Sequence, residues 1–279
     1  MPIRVDASGR RSVQAEVEVP GTPEEVWAAI ATGPGVSSWF VPTDVEMGDK
    51  GVPVKVVSHF GPGNSMDSVA NVTAWNPPHR FSADSNDMGP SDPTVATEWI
   101  VEARAGGTCI VRVVHSWFAS TDDWDNQFEG HEHGWRAFFR ILRLYLSHFR
   151  GQPCTAFQLM AVAPEPAAAA WESLVGPLGL AGAAAGQRVK AASGAPVLAG
   201  FVEQAGEAAH PELLIRLDEP GPGLAHLFAL PMGGQVYLPV RLYLYGPAAS
   251  GIAERTGPTW QRWLAERFPP VGDPSPVGS

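Results

Sequence analysis

The sequence predicts an α+β protein of two tandem domains, each a curved antiparallel sheet wrapped around a long C-terminal helix with two short helices. The main observation is a repeat: a helix that begins at a proline and contains a tryptophan, then strands, then a helix rich in Trp and Leu. Each copy has enough elements to close its own core, which a solenoid unit does not. The length of 279 residues also suits two domains. We expect domains over 12–152 and 153–269, followed by a flexible tail over 270–279.

The first copy opens with a strand and two short helices. Val13–Val19 alternates apolar and polar residues, as a half-buried strand does. Thr22 is placed to cap a helix that has Pro23 in its first position. We expect that helix to stop before Gly33-Pro34-Gly35 and a second short helix to cover Val36–Phe40.

The rest of the first copy predicts an antiparallel meander followed by one long helix. Apolar side chains recur every three or four residues from Trp124 to Phe149, which indicates one face of a helix of about 30 residues. Turn residues separate the β-like runs before it. Strands are expected over 52–60, 68–75, 80–84, 95–103 and 108–118.

The second copy repeats this order with fewer aromatic residues. A helix holding Trp171 is expected near its start, and a terminal helix over 257–268, with Gly257-Pro258 marking either the start of that helix or a kink in it. Leu180-Ala181-Gly182-Ala183 stands where the first copy has Trp39-Phe40. Strands are expected over 155–163, 187–192, 197–204, 212–217, 224–230 and 235–245.

Composition and charge exclude several classes of function. The net charge of −10 and the presence of only three lysines oppose binding to nucleic acid, which needs clustered positive charge. No apolar run is long enough to cross a bilayer, so no membrane association is expected. The first eleven residues lack the apolar segment of a secretion signal, so we expect a cytoplasmic location.

Metal and covalent chemistry also lack support in the sequence. Cys109 and Cys154 do not have the paired spacing of a zinc site. His131 and His133, two positions apart on one helix, point to different sides and do not match the i, i+4 pair that chelates zinc. No nucleophile elbow or phosphate-binding loop occurs. We therefore predict no metal and no cofactor.

Several short segments resemble one known superfamily when taken in order. Thr22-Pro23-Glu24-Glu25-Val26-Trp27 is followed by Trp39-Phe40, by Trp75-Asn76-Pro77-Pro78-His79-Arg80-Phe81 and by His133-Gly134-Trp135. In this order the segments resemble the START-like, or SRPBCC, helix-grip superfamily of the birch-pollen allergens, in the branch of the heat-shock-protein ATPase activators. The tandem arrangement also resembles the di-domain members of actinomycete enediyne clusters of the dynemicin type. The resemblance implies a cavity between sheet and helix that holds a hydrophobic small molecule.

Tryptophans and histidines supply the candidate site residues of the first domain. Seven of the ten tryptophans lie there, and a Trp side chain combines a large apolar face with one hydrogen-bond donor. The alternative for any single Trp is a core position. His115 and His131 are candidates for an acid/base pair, because imidazole titrates near neutral pH, and the alternative is a hydrogen-bonded structural role. The candidate ligand-binding residues are Trp39, Phe60, Trp75, Trp99, Trp117 and Trp135.

These observations favour a protein that binds a hydrophobic small molecule, a polyketide- or polyene-like intermediate of secondary metabolism of the enediyne type. It would act as a carrier or as a cofactor-free cyclase/aromatase-like accessory protein. One alternative is a protein-binding module of the co-chaperone type, which the acidic charge and the lack of a basic docking stripe make less attractive. Another is self-resistance by sequestration of a toxic product. A protein partner is not indicated.

Overall fold

In the computed structural model the chain forms two compact units, Met1–Gln152 and Pro153–Ser279. Each unit has one antiparallel sheet and few helices, which confirms the predicted α+β class of two helix-grip domains. The predicted domain bounds of 12–152 and 153–269 stay a prediction, and the predicted tail over 270–279 lies outside the described residues. The structure describes residues 4–6, 8–60, 66–86, 94–118, 125–164 and 166–269, except the side chains of 66, 118 and 125–133.

The first unit has an eight-stranded sheet in the order β1-β2-β8-β7-β6-β5-β4-β3. From β3 to β8 each strand pairs with the next along the chain, so the predicted meander is present. The β2 strand extends the sheet beyond β8, with which it pairs along its whole length. The strands are β1 Arg4–Val5, β2 Arg10–Pro20, β3 Thr43–Met47, β4 Pro53–Phe60, β5 Met66–Asn76, β6 Arg80–Ser85, β7 Val95–Arg104 and β8 Thr108–Phe118.

Two short helices follow β2. The α1 helix, Pro23–Ala31, begins where the sequence predicts, with a capping box between Thr22 and Glu25. The α2 helix, Gly33–Ser37, begins three residues earlier than predicted. The side chain of Thr32 accepts a hydrogen bond from the main-chain N–H of Gly35 and so caps a new helix, whereas we expected the Gly-Pro-Gly segment to separate the helices.

The long helix α3, Asp125–His148, is six residues shorter than the predicted 30 or so. It packs across β2, and its C-terminal half contributes Phe139, Leu142 and Leu146 to the core. Val111 and Val113 alternate with less buried neighbours along β8 and are fully buried. Alternation on the strands and a three-to-four residue period on the helix therefore meet in one apolar interior.

His59 connects the three strands at the free edge of this sheet. Its Nδ1 lies 2.8 Å from a carboxylate oxygen of Asp67, and its Nε2 lies 3.1 Å from one of Asp44. The hydrogen bonds to Asp67 and then Asp44 raise the pKa of His59 above its ordinary value of 6.5. The imidazolium form therefore stabilises the pairing of β3, β4 and β5.

The second unit has a seven-stranded sheet centred on β15. The β9 strand pairs with β15 from end to end, and β13 and β14 pair with successive parts of its other edge. The β12, β11 and β10 strands extend the sheet beyond β13. The strands are β9 Cys154–Pro164, β10 Arg188–Lys190, β11 Ala199–Ala205, β12 Glu212–Glu219, β13 Gly223–Phe228, β14 Leu230–Met232 and β15 Gln235–Tyr245.

Two helices complete the second unit. The α4 helix, Ala167–Leu178, places Leu174 and Leu178 in a core that also contains Trp260 and Leu180. Leu180 is buried at the position where the first copy has aromatic residues. The α5 helix, Ala249–Arg267, begins eight residues before its predicted start, so Pro258 lies inside the helix rather than at its first turn.

Candidate functional site

A cavity of about 410 Å³ opens between the inner face of the first sheet and the helices α1, α2 and α3. Strands β3 to β8 supply one wall, and the helices supply the other. Among the described lining residues, His115 has the only ionisable side chain. The lining consists of Ile30, Ala31, Val36, Trp39, Phe40, Val45, Val56, Ser58, Phe60, Ser68, Ala70, Trp75, Phe81, Ala83, Ser85, Val95, Thr97, Trp99, His115, Gly134, Trp135 and Phe138.

Aromatic rings form most of the helical side of this cavity. Phe40 stacks on Trp135, with ring centroids 5.4 Å apart and planes 10° from parallel. Phe138 meets the same Phe40 ring edge-on at 4.4 Å, and Trp99 meets Trp135 edge-on at 5.2 Å. Stacked and edge-on pairs of this kind stabilise the arrangement beyond the burial of their area. The rings therefore present ordered apolar faces to the cavity.

Trp39 supports the wall from behind. Its side chain is 1% exposed, and its indole N–H donates to the main-chain carbonyl of Ala29 at 2.9 Å. That carbonyl is among the last four of α1, which have no N–H partner within the helix. Trp39 thus caps the C-terminal end of α1 and lines the cavity with the same ring. That ring also packs edge-on against Trp99.

His115 lies on β8 with both ring nitrogens in hydrogen bonds. The indole Nε1 of Trp135 donates to its Nε2 at 2.7 Å, and its Nδ1 lies 2.9 Å from the hydroxyl oxygen of Thr97. Because indole N–H is only a donor, Nε2 must be the unprotonated nitrogen, and the single proton of the neutral ring lies on Nδ1. The geometry therefore fixes His115 as a neutral imidazole in one tautomer.

The structure brings most of the predicted ligand-binding residues to this cavity. Trp39, Phe60, Trp75, Trp99 and Trp135 all line it. Trp117 is 1% exposed and is not among the lining residues, so it is placed as part of the surrounding core. Their role in ligand binding stays a prediction.

The predicted histidine pair is described only in part. His115 lines the cavity. His131 falls on α3, but its side chain lies outside the described residues. The acid/base pairing of the two histidines therefore stays a prediction.

The candidate ligand-binding residues do not include three residues that matter to the geometry. Phe40 and Phe138 pack on each other and on Trp135, and Thr97 completes the hydrogen bonding of His115. Thr97 stands two residues before Trp99 on one strand, so strand alternation predicts the same face for both. That signal was present in the sequence, but the partner of Thr97 comes from the neighbouring strand and depends on register.

Residues 10–142 match the family model described as polyketide cyclase/dehydrase and lipid transport. The match covers just under half of the 279-residue chain. It confirms the START-like resemblance predicted from the sequence, and residues 10–142 include every cavity-lining residue described above. No curated protein matches the chain.

Three solved structures are among those that are similar to this chain. The di-domain ARO/CYC protein BexL of the BE-7585A biosynthetic pathway is 12% identical, with a TM-score of 0.44 over 95% of this chain and 100% of BexL. DynU16 of the dynemicin biosynthetic locus is 18% identical, with a TM-score of 0.41 over 92% of this chain and 95% of DynU16. CalU16 of Micromonospora echinospora is 15% identical, with a TM-score of 0.40 over 52% of this chain and 83% of CalU16.

The described residues contain no cluster of three or more His, Cys, Asp or Glu side chains arranged to hold a metal ion. Within the same part of the chain, no helix combines the length and the apolar character needed to traverse a bilayer.

Proposed function

We propose that the first unit binds a hydrophobic, aromatic or polyene-like small molecule in its cavity. It would serve as a carrier or a cofactor-free cyclase/aromatase-like accessory protein for a polyketide-type intermediate of secondary metabolism. The observation that supports this most directly is the cavity itself, walled by aromatic rings within the segment that matches the model of the polyketide cyclase/dehydrase and lipid transport family. An intermediate of the enediyne type is the finer form of the same proposal.

The size and chemistry of the cavity suit such a guest. A volume of about 410 Å³ falls within the range of about 300 to 1,000 Å³ that is usual for small-molecule sites. Rings of Trp99, Trp135 and Phe40 are already held in place by one another, so a flat guest can pack on them without ordering loose side chains. Binding would be driven by the burial of apolar surface.

Any catalysis in this cavity would rest first on conformation. A flexible chain held in a dry aromatic cavity is restricted to folded arrangements, which brings its reacting atoms together. Proton transfer by His115 would require Trp135 to move away, because the Nε2 lone pair of His115 accepts the Trp135 N–H. Trp135 would thus control access to the one imidazole described on the cavity wall.

The proposal is tested by titrating the protein with linear polyenes and tricyclic aromatic compounds while tryptophan fluorescence is followed. Four tryptophans line the cavity, so a bound guest should quench emission saturably. The blocking variant Ala70→Phe places a ring in the cavity. Its matched control, Ala74→Phe, makes the same change in the open groove on the outer face of the same strand.

We expect saturable quenching in the wild type and in Ala74→Phe, and affinity lowered at least about tenfold in Ala70→Phe, since one lost aromatic contact surface is worth roughly 1.4 kcal/mol or more. Far-UV circular dichroism checks that both variants are folded. An unchanged signal across the whole panel, or equal binding by the two folded variants, would contradict the proposal.

A further inference from the structure

Three polar side chains form a hydrogen-bonded chain that ends at the cavity wall. It begins at the indole of Trp135 on α3, passes through His115 on β8, and reaches the hydroxyl of Thr97 on β7. Thr97 and His115 face each other in the register of the two strands. All three residues line the cavity. The chain therefore connects the helical wall to the strand wall beside the aromatic faces.

The direction of this chain follows from the donor and acceptor capacity of each group. The indole can only donate, so it gives its proton to His115 Nε2, and the neutral imidazole then carries its own proton on Nδ1. Nδ1–H must donate to the Thr97 oxygen, 2.9 Å away. A hydroxyl that accepts one hydrogen bond still has its proton to give, and acceptance strengthens it as a donor.

We propose that the Thr97 hydroxyl is the donor that binds an oxygen acceptor of the guest, so that the cavity selects neutral aromatic molecules bearing a carbonyl group. This inference rests on the proposed function and adds a specificity-determining residue and a ligand chemistry to it. His115 and Trp135 act as positioning residues through Thr97. Neither needs to exchange a proton with the guest.

The described lining residues favour a neutral carbonyl over a carboxylate. His115 is the only ionisable side chain among the described lining residues, and its hydrogen bonds hold it neutral. A carboxylate would leave water without meeting a positive charge, which is costly in an apolar site. A ketone pays a much smaller desolvation cost and gains the Thr97 hydrogen bond.

Three naphthalenes that differ in one substituent test this reasoning: 2-acetylnaphthalene, 2-ethylnaphthalene and 2-naphthoate. Equilibrium dialysis at neutral pH gives the Kd of each for the full-length protein, without optical interference. The variant Thr97→Val removes the hydroxyl at nearly constant shape, and Thr97→Ser retains it. Thr73→Val is the matched control, since Thr73 is exposed in the outer groove of the same sheet.

We expect Thr97→Val to raise the ratio of the ketone Kd to the hydrocarbon Kd about 3- to 10-fold, the size of one neutral hydrogen bond. Thr97→Ser and Thr73→Val should leave this ratio near the wild-type value. If Thr97→Val is unfolded by circular dichroism, Thr97→Ala replaces it. Naphthoate should bind more weakly than the ketone in every folded variant.

The carbonyl stretch of carbon-13-labelled 2-acetylnaphthalene gives a readout that packing alone does not move. In the wild type the bound ketone should absorb at lower frequency than in an apolar solvent, and Thr97→Val should abolish that shift. His115→Phe should reduce the shift, because Thr97 then loses the donor that orients it.

An unshifted carbonyl in the wild type, or a Kd ratio unchanged by Thr97→Val, would overturn the assignment of Thr97. Tighter binding of naphthoate than of the ketone would overturn it as well, since His115 would then act as a cation. If neither naphthalene hydrocarbon nor ketone binds the wild type, cavity binding itself is refuted and this inference fails with it.

Discussion

Replacement of Trp39 by Phe separates two contributions of one side chain, its packing and its hydrogen bond to the end of α1. The smaller ring removes apolar area, and the missing N–H leaves the buried Ala29 carbonyl without its donor. An unsatisfied buried acceptor costs about 1 to 3 kcal/mol. The lost ring area adds about 1 kcal/mol. We therefore expect Trp39→Phe to lower the free energy of unfolding by about 2 to 4 kcal/mol.

Trp75→Phe is the matched control for this change. Trp75 lines the same cavity, but its indole N–H has no hydrogen-bond partner among the residues that the structure describes. Its replacement removes ring area without orphaning a carbonyl. The difference between the two variants, about 1 to 3 kcal/mol, then measures the hydrogen bond to Ala29.

Urea unfolding followed by tryptophan fluorescence measures both variants. With a slope of about 1 to 3 kcal/mol per molar urea, the difference corresponds to a shift of about 1 M in the midpoint of the first unit. If the two variants agree within about 0.5 kcal/mol, the scale of an uneventful surface substitution, the argument that Trp39 caps α1 is wrong.

Three further predictions concern the described core and edge of the first unit. His59 has a raised pKa, so its stabilising charge is fully present below about pH 6.5 and is lost as the pH rises through the raised pKa. Urea midpoints should therefore fall over that pH interval in the wild type and not in His59→Gln. Gly35→Ala places a Cβ 2.0 Å from a main-chain oxygen of α1 and should lower the free energy of unfolding by at least about 3 kcal/mol, whereas Gly134→Ala on α3 meets open space and should raise it by about 0.5 to 1 kcal/mol. Equal urea midpoints for these two variants would contradict the clash. Burial, with two nearby glutamates, raises the pKa of the Cys109 thiol. In a Cys154→Ser background, a disulfide reagent should therefore modify Cys109 only under unfolding conditions, and rapid labelling of the native protein would disprove this.

Local chemistry explains which elements could be predicted from the sequence. The start of α1 at Pro23 follows from the Thr22 cap, an interaction within four residues. The start of α2 was misplaced because Thr32 acts both as the C-cap of α1 and as the N-cap of α2, so a Gly-Pro segment that usually separates helices lies inside one. The sequence predicts the start of α5 near Gly257, with Gly257-Pro258 marking either that start or a kink, whereas α5 begins at Ala249 and continues through Pro258.

The candidate site could also be predicted only in part from the sequence. Alternation along strands and periodicity along α3 indicated that Trp99 and Trp135 face inward, and both line the cavity. The contact between Trp135 and His115 joins a helix to a strand 20 residues earlier in the sequence. Such a contact depends on how the helix lies across the sheet, which periodicity does not determine. The tautomer of His115, and hence the donor role of Thr97, became visible only with the geometry.

The pairing of an early strand with the last strand of its unit affects how each unit can be assembled during synthesis. Arg10 pairs with Phe118, and Thr155 pairs with Leu244, so β2 and β9 emerge from the ribosome long before β8 and β15 exist. Each early strand must wait with unsatisfied backbone groups, and exposed edges of this kind invite wrong partners. For β9, the similar strands of the first copy already exist at that moment and are the nearest competitors. This topology therefore requires that each unit of a tandem chain pairs its strands correctly while the chain is being synthesised.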